Sequence, residues 1–183
     1  MSPRHFVPAL CCFLLTSACS PAHDWREFHF AEGGFTILFP QQPGRAERKL
    51  VTPAGEVTMK MVSVRVDDTV FGAASADFTA PPDAAAQAAM QAALLKNLAG
   101  TVTSDKQVNL GASGTAITGR EVVVRGSVEK SAKSGAGGPG GDAQLRARFF
   151  VRGNRYYQIA VMGRTGAVQE ADLDLFFASF KPD

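Results

Sequence analysis

The sequence predicts an α+β domain built on a mainly antiparallel sheet covered by helices on one or both faces. Strand-like runs stand before and after one long helix, hairpin signals recur, and no succession of βαβ units is present. The composition supports a packed domain: 183 residues, 45% hydrophobic, 20% charged, with 18 Gly, 10 Pro and a formal net charge of +2. These values argue against collagen-like, coiled-coil and wholly disordered chains.

The elements follow in order. Gly33-Gly34 leads into Phe35–Phe39, a short apolar strand stopped by Pro40 and Pro43. Residues 45–51 and 56–66 flank Thr52-Pro53-Ala54-Gly55, whose Pro and Gly suit a hairpin turn. Val57, Met59 and Met61 alternate with Thr58, Lys60 and Val62, so one strand face is expected to be core. Residues 70–78 continue as an extended segment weakened by Gly72 and alanines.

Pro81-Pro82-Asp83 opens the clearest helix, residues 84–99, with Asp83 as its N-cap and Gly100 at the left-handed position beyond its end. Met90, Leu94 and Leu98 form its apolar stripe, while Gln87, Gln91 and Lys96 are expected to face water. Residues 101–110 and 120–128 read as strands. The segment 131–141 holds five glycines and no large apolar side chain, which reads as a flexible hairpin loop rather than a phosphate loop, because no Gly-Lys-Ser/Thr end precedes a helix. Leu145, Ala147, Phe149 and Val151 alternate with Arg146, Arg148, Phe150 and Arg152, and Gly153-Asn154 suits a type II′ turn. The return strand carries Tyr157, Ile159 and Val161 on one face. A terminal helix over 168–180 is expected to bury Val168, Ala171, Leu175 and Ala178.

The beginning of the chain reads as an address. Phe6–Leu15 is too short to cross a bilayer, which takes about 20 residues, but it fits the apolar stretch of a signal peptide. All three cysteines lie at Cys11, Cys12 and Cys19. Thr16-Ser17-Ala18-Cys19 resembles the bacterial lipobox, with Thr16 where that pattern usually has Leu. The resemblance implies removal of residues 1–18, a diacyl lipid on Cys19, a short tether over 19–24, and a single domain over 25–183 facing the periplasm. Two or more acyl chains hold a protein stably at a membrane. Ser20 resembles the signal for sorting to the outer membrane of a Gram-negative cell.

No catalytic pattern stands out. The segment after residue 19 has no cysteine, and its histidines are His23 and His29. A Ser-His-Asp arrangement would therefore need one of them to reach a distant serine. His23, Asp24, Glu27 and His29 match no zinc motif and read as a solvated N-terminal segment. No metal and no cofactor are expected. Charge offers the best lead: residues 120–164 hold nine cations against three anions, whereas the rest of the chain after Ala18 is acidic. Strand alternation sets Arg146, Arg148 and Arg152 on one face, with Arg155 past the turn, as the candidate surface for an acidic envelope protein or anionic surface. The competing expectation neutralises that face with Glu170, Asp172 and Asp174. Nucleic acid is a poor partner, since no recognition motif is present. A second functional expectation is an apolar ligand pocket between sheet and helix, touched by Trp25, Tyr156 and Tyr157.

Asp24-Trp25, Gly33–Pro40, the hairpin after it, the mid-chain helix and Leu175–Phe180 together resemble the PsbP-like superfamily, which includes DcrB-like and LpqN-like lipoproteins. The resemblance implies an α/β/α sandwich with a long mid-chain helix and a C-terminal helix. It also implies a noncatalytic protein that binds a partner or supports assembly.

Overall fold

The computed structural model describes residues 24–96, 98–111, 116–128 and 141–183. Signal segment, Cys19, His23 and nearly all of the glycine-rich segment lie outside the described residues. The chain opens with β1 (Arg26–Phe30), a 3-10 turn at Ala31–Gly33 and β2 (Phe35–Phe39). The strands β3 (Gly44–Thr52), β4 (Gly55–Val66) and β5 (Thr69–Asp77) follow as a meander, and α1 (Ala84–Leu95) interrupts the strands. Then come β6 (Ala99–Leu110), β7 (Ile117–Val128), β8 (Gly141–Arg152) and β9 (Arg155–Arg164), and the chain closes with α2 (Glu170–Ala178) and β10 (Lys181–Pro182).

Seven strands form one antiparallel sheet in the order β3-β4-β5-β9-β8-β7-β6, and β1-β2-β10 form a second, smaller one. The expected α/β/α sandwich does not form. Strands take 61% of the described residues, in two antiparallel sheets, and the two helices are a minor part. The physical reason lies at the N-terminus. Residues 26–30, expected to be solvated, pair along their length with Phe35–Phe39. The resulting small sheet and α2 pack together against one face of the large sheet.

Two cores result, one on each side of the large sheet. On the first side Phe30, Phe35, Ile37 and Phe39 of the small sheet and Leu173, Phe176, Phe177 and Phe180 pack against Phe71, Phe150, Tyr157 and Ile159. On the second, Ala86, Met90 and Leu98 pack against Met59, Val122, Leu145, Phe149 and Tyr156. Because both faces are covered, β8 and β9 are buried on both sides, and their alternation separates two interiors rather than inside from outside.

Local signals explain most element boundaries. Asp83 Oδ1 accepts from the Ala86 N–H at 2.8 Å, which caps α1. Gly153 has φ of +57°, as the first central residue of a II′ turn requires. Gly100 has another role than the one expected. It lies inside β6, and a Cβ there would stand 2.4 Å from the Arg125 carbonyl oxygen, so glycine permits close strand approach. α1 accordingly ends at Leu95. The buried stripe of α2 is also corrected: Leu173, Phe176 and Phe177 face the core, and Leu175 is 40% exposed. The phenylalanines bring more apolar area than the alanines and decide which side of the helix turns inward.

Candidate functional site

The arginine face lies largely under cover. Arg146 and Arg148 project to the α2 side of the sheet, with side chains only 19% and 22% exposed. Between them on β7 is Glu121, a carboxylate 1% exposed. Arg148 Nε donates to Glu121 Oε2 at 2.6 Å, Lys106 Nζ lies 3.1 Å from Oε1 and Arg146 Nε 3.7 Å from it. Burial opposes ionisation of Glu121. The contacts from Arg148 and Lys106 and the charge of Arg146 outweigh that and hold the group below the ordinary glutamate range. Arg148 also stacks over the Phe177 ring, with Cζ 4.6 Å from the centroid. Arg146 Nη1 donates to Glu170 Oε2 at 2.9 Å.

The other two nominated arginines are partnered as well. Arg152 Nη1 donates to the carbonyl oxygens of Pro182 and Asp183 at 3.0 and 2.7 Å, and Arg155 pairs with Asp77. All four arginines thus hold elements of the fold together. Of the three acids in the competing expectation, Glu170 pairs with Arg146, and Glu121, which neither expectation named, supplies the buried counter-charge.

Trp25, Tyr156 and Tyr157 do not share a cavity. Trp25 meets Phe71 edge-on at 5.7 Å and Phe176 at 6.4 Å. Tyr157 is buried on that same side and donates to the Gly34 carbonyl at 3.1 Å, tying the turn of the small sheet to the large one. Tyr156, its neighbour in β9, points to the opposite side and stacks on Phe149 at 6.3 Å. Its hydroxyl is buried with no hydrogen-bond partner among the described residues, and burial pushes its pKa far up.

Near the N-terminus, His29 Nδ1 shares a 3.0 Å hydrogen bond with Thr36 Oγ1, Asp24 pairs with Arg26, and Glu27 lies 3.5 Å from Lys181. Among the described residues no cluster of three His, Cys, Asp or Glu is placed to hold a metal. Nor is any described helix long and apolar enough to cross a membrane.

A groove of about 620 Å³ does lie between helix and sheet, lined by residues other than those aromatics. Gln87 and Gln91 of α1 form one wall. Phe149 and Val151 supply an apolar floor, and Asp105, Gln107 and Arg120 supply the side towards β6. Arg120 is held in place by Asp105 through Nε at 2.8 Å and Nη2 at 2.5 Å, and its Nη1 donates to Gln91 Oε1 at 2.6 Å. Those hydrogen bonds draw the Asp105 carboxyl below its ordinary range. Gln91, expected in water, is buried for this reason.

The groove opens at β6, an edge of the large sheet. Among the described residues no strand pairs with the outer side of β6. The two edges differ in their protection. β3 presents Arg45, Glu47, Arg48 and Lys49 in five residues, the charged pattern that discourages strand addition. In β6 the stretch 99–104 carries no charge and ends in a bulge between Val102 and Ser104. Beyond the bulge it carries two half-exposed charges, each paired with β7, Asp105 with Arg120 and Lys106 with Glu121.

Sequence reasoning missed this site. The buried Glu121 on the other face was also missed, though it had a signal: it precedes the run Val122-Val123-Val124, and an anion beside such an apolar run implies a buried partner. No protein-family model matches the chain, and no curated protein matches it either.

Proposed function

We propose that the protein is a noncatalytic, lipid-anchored cell-envelope protein that binds an extended segment of a partner protein along the free edge of β6. The observation that carries this reading is the β6 edge, unpaired among the described residues, beside a groove with an apolar floor. A strand added to β6 gains main-chain hydrogen bonds along residues 104–110. Its alternate side chains on the α1 side point to the mouth of the groove at Asp105, Gln107 and Arg120. The lipobox resemblance at Cys19 supports the anchor, and the PsbP-like resemblance supports a binding or assembly role rather than catalysis. Internal pairing of Arg146, Arg148, Arg152 and Arg155 moves the proposed contact away from those arginines to β6.

Two experiments test the reading. A photo-crosslinking residue at Gln107 in the full chain, illuminated in intact cells, should capture a discrete partner, and the same residue at Glu47 on β3 should not. No adduct from Gln107, or equal adducts from both positions, would contradict the docking surface. For the anchor, cells fed an alkynyl palmitate should label the chain, and Cys19→Ser should abolish the label.

A further inference from the structure

The two sides of the β6 edge differ in chemistry. Alternation along the strand sends Asp105, Gln107 and Asn109 to the α1 side and Lys106, Val108 and Leu110 to the other. We propose that the partner segment is an amphipathic strand, apolar where it lies beside Val108 and Leu110, uncharged and polar where it lies beside Asp105, Gln107 and Asn109. This inference rests on docking at β6 and names the chemistry of what docks there.

On the α2 side the first core runs out to the edge. Val108 is opposite Gly119, and a Cβ on Gly119 would stand 2.3 Å from Phe150 Cδ1, so the missing side chain lets the Phe150 ring lie across β7. Phe150 in turn stacks on Phe180, with centroids 6.2 Å apart. Leu110 is opposite Ile117, and Val108, Leu110 and Ile117 pack on this core while only partly buried. An apolar side chain on an added strand would cover Val108 or Leu110 as a cross-strand neighbour and extend the core by one strand. Charge selects against an ionic segment. Asp105 and Lys106, the two charges of β6, are each paired with β7. On the α1 side Arg120 is held by Asp105 and Gln91, and the helix wall Ala84–Leu95 carries no charged residue. A charged side chain docked there would lose water without gaining a counter-ion. A hydroxyl or amide side chain, by contrast, meets the amides of Gln107 and Asn109.

The test uses the full chain with a photo-crosslinking residue at Gln107, illuminated in cells with and without a second substitution. Val108→Lys places on this edge the kind of charge that guards β3 and should reduce the adduct by about tenfold or more. Val51→Lys, at an exposed position of β3, should leave it unchanged. Should Val108→Lys melt early, Val108→Thr keeps the branched shape, adds a hydroxyl and should still weaken capture several-fold. The captured segment, mapped by mass spectrometry, should alternate apolar with uncharged polar residues. Charged residues at its alternate positions, undiminished capture in a folded Val108 variant, or an adduct joining two copies of this chain would overturn the inference while leaving the edge occupied. No adduct from the chain substituted at Gln107 alone would remove the docking itself, and this inference with it.

Discussion

Glu121 joins β7, β6, β8 and, through Arg148 and Phe177, α2. A carboxylate 1% exposed between two arginines and a lysine is costly to leave half-made, because removing one partner strands charge in a poorly solvated place. Glu121→Gln is therefore expected to lose about 3 kcal/mol of unfolding free energy, the low end for a buried pair since both arginines keep some contact with water. Its dependence on pH has a definite sign. A carboxyl held below its ordinary value of 4.5 contributes stability that is complete above that value and is lost as pH falls through the folded value. Urea unfolding of the two proteins should thus differ most at neutral pH and converge below about pH 4.5. A gap that stays constant on acidification would show that the ionised form of Glu121 is not what stabilises the fold.

For the elements, the terminal helix gives the sharpest comparison. Phe176 touches the rings of Trp25, Phe39, Phe71 and Phe177, with centroids 5.3 to 6.4 Å away, and is fully buried. Phe176→Ala should cost about 3 to 5 kcal/mol, whereas Leu175→Ala, on the exposed side, should cost about 1 kcal/mol or less. Equal losses in denaturant unfolding would contradict the packing of α2. Elements with local chemistry were legible in the sequence. Proline stops, the Asp83 cap and the Gly153-Asn154 turn act within a few residues, so they mark β2, α1 and the β8–β9 hairpin directly. The face that α2 buries was not legible, because neighbours from both sheets, distant in sequence, decide which stripe turns inward.

Across the whole molecule, both sides of one sheet are interior, and this single fact overturned the most expectations. Arg146 and Arg148 read as an outer face because alternation alone distinguishes the two sides of a strand but does not say whether each side is covered. Tyr156 and Tyr157 read as one pocket because adjacency in sequence hides that they serve opposite cores. The strand β1 was illegible for the same reason: its pattern is unremarkable alone, and it forms by pairing with Phe35–Phe39 and burying Phe30. Residues that carried the family resemblance, Trp25, Phe35, Ile37, Phe39, Phe176 and Phe180, converge in the core between the small sheet and α2. The β6 edge, unpaired among the described residues, lies beside the groove, and there the proposed partner segment would add.

The most direct measurement of the docking surface is a register scan. Photo-crosslinking residues placed singly from Ser104 to Leu110 are illuminated in cells, and the partner residue captured by each is mapped by mass spectrometry. A strand paired with β6 predicts that the captured residue moves along one partner segment by one position per step. Captures scattered over unrelated segments, or none along β6, would contradict strand addition at this edge.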